Sequence, residues 1–186
     1  QETLRCKELV QNLLVFARRS NDSKREAFDL RRPVEQALSL IQAQSKVKGI
    51  VLKAELSSEP VPVLANRNQV QQIVINLCNN AIDAIGPAGG TLLVRTGVVR
   101  EGKQGMALLE VADSGAGIPE EIRSKIFDPF FTTKEVGKGT GLGLSLIHEI
   151  VQQHRGAISF ESSLEKGTTF TVLLPLDPRG ARGRVA

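Results

Sequence analysis

An α+β architecture is predicted: a two-layer α/β sandwich in which helices cover one face of a mixed sheet, preceded by one N-terminal helix. Three observations carry it. Segments of helical period and segments of strand character follow one another in mixed order along the chain. A length of 186 residues with 41% apolar and 24% charged side chains suffices for one well-filled core plus an appendage. No apolar run approaches the ~18 to 20 residues of a membrane helix, and no signal sequence opens the chain. This composition excludes a disulfide scaffold, a collagen and a disordered tail.

The elements follow in order. Residues 1 to about 22 carry Cys6, Val10, Leu13 and Ala17 at helical spacing, with Leu9, Leu14 and Phe16 widening the stripe, so this helix needs a partner. The polar run Ser20 to Lys24 reads as a hinge, with a boundary near 24 to 28. A second helix is predicted from about Pro33 to Lys48, since Pro suits a first turn and Val34, Ala37, Leu38 and Ile41 recur at helical intervals. Gly49 stops it. Ile50 to Leu56 and Val61 to Leu64 read as short strands around a Ser-Ser-Glu-Pro turn. From Asn66 to Ile85 a long helix sets Val70, Ile73, Val74, Leu77, Ala81 and Ala84 on one apolar face, until Gly86-Pro87 and Gly89-Gly90 break it. Strands are predicted at Thr91 to Val99 and Met106 to Asp113, then short helical text at Pro119 to Phe127 and a Gly/Thr/Lys loop from Thr132 to Gly141. A helix to about Arg155 and a hairpin (Ala157 to Ser163, Thr168 to Leu174) close the fold, and the last residues read as a frayed tail.

Charge and cysteines bound the function. The net charge of +4 is small and spread out, with neither Trp nor Tyr interleaved, which argues against nucleic acid as a partner. Cys6 and Cys78 sit in helical patterns without partners at metal spacing, so reduced packing thiols and a cytoplasmic setting are expected.

Three segments carry candidate chemistry. Asn76 and Asn80, four residues apart, share one face of the long helix, with Asp83 close to it. Buried amides are costly unless paired, so the pair reads either as local capping and exposure or as neutral oxygen donors suited to Mg²⁺, which leans on phosphates and water for its other ligands. Asp113-Ser114-Gly115-Ala116-Gly117-Ile118 ends a predicted strand, where an ionised carboxylate suits an exocyclic amine such as that of adenine; it is also compatible with a plain turn. Gly139-Thr140-Gly141-Leu142-Gly143-Leu144-Ser145 runs into a helix. Its bare N–H groups and the helix N-terminus favour polyphosphate, with Lys134 and Lys138 as mobile charges, although the loop matches neither the P-loop nor the dinucleotide pattern and could be a linker.

Together and in this order the segments resemble the histidine-kinase branch of the ATPase superfamily shared with gyrase, Hsp90 and MutL. Asn76 to Ala84 is similar to the family's N box, Asp113 to Ile118 to its G1 box, Phe127-Asp128-Pro129-Phe130-Phe131-Thr132-Thr133-Lys134 to its F box and Gly139 to Ser145 to its G2 box. Gly167-Thr168-Thr169-Phe170 resembles the closing glycine motif. The match spans about residues 28 to 176. The resemblance implies a Bergerat-type ATP-binding fold, with ATP and Mg²⁺ as cofactors. It makes Asn80 the metal ligand and gives Asn76 water or phosphate to order. Asp113 receives the adenine amine, with Gly115, Gly117 and Ile118 shaping the pocket, and Thr168 supports the adenine. Thr132, Lys134, Lys138, Gly139 and Thr140 belong to a lid, and the Gly141-Leu142-Gly143-Leu144 backbone holds phosphate oxygens. Phe127, Phe130 and Phe131 read as an apolar cluster anchoring the lid base.

The resemblance also implies a protein-histidine kinase of a two-component system, with residues 1–24 ending the second dimerisation helix, 25–178 the catalytic domain and 179–186 a tail. Its partners are its own hairpin, which makes the intact kinase a homodimer, and a response regulator receiver domain; a membrane is involved only through regions upstream. The family's phosphoacceptor His lies on the first hairpin helix, and neither His148 nor His154 can stand in, His154 reading as a cap or surface residue. Self-phosphorylation of this chain is therefore not expected. Asn66 replaces an Asp often found at the N-box start, and Arg155 the first glycine of the usual His-Gly-Gly. Two other classes compete: a gyrase- or chaperone-like ATPase, which needs a water-activating carboxylate where Asn76 stands, and a degenerate binding module, which should show no metal-dependent ATP binding.

Overall fold

The computed structural model describes residues 24–101, 104–134 and 139–179. The expected helix at 1–22 and Cys6 lie outside the described residues, as do Lys138 and most of the expected tail. Strands β1 (Glu26–Asp29), β2 (Ile50–Glu55), β3 (Pro62–Ala65), β4 (Gly90–Glu101), β5 (Gln104–Asp113), β6 (Ala157–Ser163) and β7 (Gly167–Pro175) accompany helices α1 (Arg31–Val47), α2 (Arg67–Ile85) and α3 (Gly143–Gln153). Short 3₁₀ turns occupy Gly86–Ala88 and Glu120–Lys125, so the predicted helical text after Pro119 is the tighter form.

Five strands form one mixed sheet in the order β2-β4-β5-β7-β6, with β2 parallel to β4 and every other pair antiparallel. Strand alternation turns Leu92 and Val94, Ala107, Leu109 and Val111, and Phe170, Val172 and Leu174 inward. The three helices cover that face, and α2 is central, packing on β4, β5 and β7 as well as on α1 and α3. Its buried stripe of Val70, Ile73, Val74, Leu77, Ala81 and Ile85 follows the helical-period pattern, except that Ala84, expected on this face, is exposed and lines the cavity while Ile85 is buried in its place. Cys78 is buried there, and burial pushes its thiol up to about 12, which makes it inert packing.

The two short strands around the Ser-Ser-Glu-Pro turn belong to different sheets. β2 enters the main sheet beside β4, whereas β3 pairs antiparallel with β1, Phe28 opposite Val63. β1 lies where a boundary was expected. Its small sheet is tied to the main fold by the Val63–Leu176 bridge and by Asp177 N–H to the Pro62 carbonyl (2.9 Å). Arg179 extends this end through hydrogen bonds to Asp177.

Candidate functional site

The N-terminus of α2 is set by two side chains. Asn66 Oδ1 accepts from Gln69 N–H (3.1 Å), an N-cap, and Asn66 N–H donates to His154 Nε2 (3.0 Å). A backbone amide can only donate, so Nε2 is the bare nitrogen and Nδ1–H donates to the Ile150 carbonyl (2.8 Å). His154 is therefore a buried, neutral cap of α3 that also caps α2, not a surface residue. Burial holds its pKa below the ordinary histidine value, the Arg25 charge adds to this, and the Ile150 bond opposes it.

From that anchored start, α2 carries Asn76, Asn80 and Asp83 to the wall of a cavity of about 610 Å³. Asn76, Asn79 and Asn80 have no side-chain hydrogen bond among the described residues, and Asn79 Oδ1 is buried without a partner. Asp83 differs. Its Oδ2 meets Lys134 Nζ at 2.7 Å and its Oδ1 meets Lys48 Nζ at 3.2 Å. Burial raises the carboxyl's pKa, but the hydrogen bonds and charges of Lys134 and Lys48 outweigh that and hold it below the ordinary carboxylate value.

Across the cavity, β5 ends at Asp113. Oδ1 accepts from Gly115 N–H (2.8 Å) and Thr168 N–H (3.3 Å), so Oδ2 is left as an open acceptor. Burial raises this carboxyl's pKa, and the two backbone bonds oppose the rise. Thr168 is buried, its Oγ1 2.9 Å from Ser162 Oγ. The following turn is clamped from the β6–β7 hairpin: Ile118 N–H donates to Ser162 Oγ (2.8 Å), and Glu165 N–H to the Ala116 carbonyl (2.9 Å). Gly117, at φ 76, lies so close to Ser163 that an added Cβ would run into its carbonyl. Gly115 does not line the cavity; it packs behind it on the Ala84 backbone.

The third wall comes from Thr132, Thr133, Lys134 and Gly139 to Leu144. Thr132 Oγ1 accepts from Lys134 N–H (3.2 Å) and Thr140 Oγ1 from Leu142 N–H (3.3 Å), which shapes the two described flanks. Gly141, at φ 67, is pressed on the Phe130 carbonyl with no room for a Cβ. α3 then begins at Gly143, presenting the free N–H groups of its first turn. The expected phenylalanine cluster is only partly present. Phe127 packs on Phe160 and His148, and Phe131 faces the cavity, but Phe130 is 66% exposed and has a positive φ of 67.

One cavity thus gathers Asn76, Asn80, Asp83, Asp113, Gly117, Ile118, Thr132, Lys134, Gly139, Thr140, Gly141, Leu142, Gly143, Leu144 and Thr168. Sequence reasoning missed Asn79, Ala84, Ala116, Ile126, Leu146 and Phe170. Two had a periodic signal: Phe170 follows Thr168 by two along β7, and Leu146 follows Leu142 by four on α3.

A family model described as histidine kinase-, DNA gyrase B-, and HSP90-like ATPase matches residues 65–178. Sensor kinase CckA of Brucella abortus (strain 2308) is 40% identical over 94% of this chain, which spans 19% of CckA's length. The catalytic domain of histidine kinase ThkA superposes with a TM-score of 0.71 at 33% identity, covering 83% of this chain and 97% of ThkA's. Full-length ShkA in complex with AMPPNP gives a TM-score of 0.77 at 26% identity, over 90% of this chain and 35% of ShkA.

Proposed function

The chain belongs to the family of histidine kinase-, DNA gyrase B-, and HSP90-like ATPases, and from that membership we propose that it is the ATP-binding catalytic domain of a two-component sensor histidine kinase. In this role it positions the γ-phosphoryl group of ATP for transfer to a histidine on a dimerisation hairpin, for relay to a response regulator. Residues 25–178 act as the catalytic domain, 1–24 as the end of the second hairpin helix and 179–186 as a tail. The convergence of bare amides, an open carboxylate oxygen and a glycine-rich helix N-terminus on a single cavity is the observation that supports this most. The AMPPNP in ShkA, a relative of the same fold, points the same way.

Each wall has a task. Asp113 Oδ2 accepts the adenine amine, a charge-assisted bond that selects a donor at that edge, while Thr168 and Ile118 hold the ring between them. The first-turn N–H groups of α3, with Gly141 and Gly143, receive phosphate oxygens, and Lys134 adds a charge. Asn80 and Asn76 face the same space with unused amide oxygens. This donor set fits a magnesium ion: Asn76 and Asn80 offer hard neutral oxygens in the cavity lining, and a buried Asn79 oxygen beside Asn80 lacks a partner. Asn80 would supply one hard oxygen, phosphates and water the rest, and an ion held there would neutralise phosphate charge. For the chain itself, catalysis is then orientation and charge stabilisation.

A stand-alone hydrolytic ATPase fits less well. Asn76 is an amide and a poor general base, Asp83 is held by two lysines, and Asp113 is committed to the ring end. Calorimetric titration of ATP with and without Mg²⁺ tests the proposal. Metal-enhanced, saturable binding is expected; absence of binding in both titrations would leave a scaffold protein. Among the described residues no helix is long and apolar enough to cross a membrane.

A further inference from the structure

We propose that Lys48, which lies in none of the motifs above, is a positioning residue for the polyphosphate: it keeps Asp83 neutralised so that Lys134 can leave that carboxylate for an anionic ligand. Asp83 sits between two ammonium groups, Lys134 at 2.7 Å on one oxygen and Lys48 at 3.2 Å on the other. Asp83 and Lys134 line the cavity, whereas Lys48 is not part of its lining. A carboxylate in the wall of a cavity built for anions is a liability, because like charges a few ångströms apart repel even through a solvated surface. The triad resolves this. With the cavity free of phosphate, Lys134 rests on Asp83; with phosphate present, Lys134 turns to the stronger anion, and the Lys48–Asp83 pair that stays behind is neutral. Without Lys48, Lys134 is held more tightly, and its departure exposes an uncompensated negative charge to the ligand.

The placement of Lys48 is built into the backbone. It is the C-cap residue of α1, its N–H bonded to the Gln44 carbonyl at 3.2 Å. The turn that follows abuts the chain just after α2, where a Cβ added to Gly89 would come within 2.9 Å of the Gly49 oxygen. The end of α1 is thereby pressed against the end of α2, and the Lys48 side chain reaches the last turns of α2 from there. The side chains of Lys48, Asp83 and Lys134 are 40%, 41% and 36% exposed, so the triad acts through screened charge and responds to salt.

This proposal rests on ATP being the ligand of the cavity, and calorimetry on the whole chain tests both. Lys48→Met is expected to weaken ATP binding roughly threefold to tenfold at low salt, with a smaller deficit at high salt and adenosine affinity unchanged. Lys48→Arg should restore ATP affinity. Asp83→Asn should bind ATP at least as tightly as the wild type, and adding Lys48→Met to it should cause no further loss, since the effect runs through the carboxylate. ATP affinity unaltered by Lys48→Met, an equal loss for adenosine, or a loss that persists in the Asp83→Asn background overturns the proposal while nucleotide binding stands. Wild-type protein that binds neither ATP nor adenosine overturns the nucleotide reading and this proposal with it.

Discussion

Asp113 and His154 show how one physical cause, the penalty on a buried charge, serves two ends. At Asp113 it raises the carboxyl's pKa while leaving Oδ2 open to the cavity. Asp113→Asn keeps the shape and substitutes an amide for the charged acceptor. ATP affinity should fall by about 1.5 to 3 kcal/mol with folding intact, as read by calorimetry beside a thermal melt. Unchanged affinity would move the adenine elsewhere. At His154 burial lowers the pKa below the ordinary 6.5, and the neutral ring it favours is the form that can accept from Asn66 N–H. The unfolded chain then binds more protons than the folded one as pH falls through 6.5, so this contribution is fully present above that pH and is lost below it, towards the lowered native value. Thermal melts from pH 8 to pH 5 should therefore decline more steeply for the wild type than for His154→Gln, which does not titrate. Parallel profiles would show that His154 does not carry the dependence.

Among the elements, α2 has the most to hold in place, since both amides and Asp83 ride on it. Its start depends on Asn66, and Asn66→Ala should cost about 0.5 to 2 kcal/mol in denaturant unfolding by removing the bond to Gln69 N–H. The helix is visible in the chain itself, as apolar side chains at helical intervals up to a Gly-Pro stop, whereas the capping role of Asn66 comes from the structure. The strands of the hairpins are visible for the same reason, because their neighbours are close in sequence and their side chains alternate. β1 is not. Glu26-Ala27-Phe28-Asp29 has no alternation to detect, and what makes it a strand is Val63 opposite Phe28, far along the chain. The separation of β2 and β3 into two sheets is hidden likewise, since β2 finds its partner only at Gly90 to Arg95. Phe130 misled for another reason: three clustered phenylalanines imply one apolar contact, but its left-handed backbone, imposed where Gly141 closes on its carbonyl, turns the middle ring outward. Gly141→Ala should disturb that contact directly and lower both melting temperature and ATP affinity.

At the scale of the whole molecule, the glycine-rich and acidic strings could be read as parts of one site because each carries its chemistry locally. The ion pairs that bind them could not: Lys48 and Lys134 reach Asp83 from 35 and 51 residues away, and His154 reaches Asn66 from 88. The same geometry decides what the chain can do with ATP. Its only two histidines are His148, an exposed ring tilted against Phe127 and outside the cavity lining, and His154, whose ring nitrogens are both engaged in the core. His148 therefore does not face the cavity, His154 has no free ring nitrogen, and among the described residues no carboxylate of the cavity wall is free to activate water. Incubated with Mg-ATP, the chain should therefore bind nucleotide, hydrolyse it slowly at most and acquire no acid-labile, base-stable phosphate. Labelling with γ-³²P-ATP followed by acid and base treatment checks this. Phosphohistidine on the isolated chain would overturn the view that positioning, and not a resident acceptor, is the contribution of this fold.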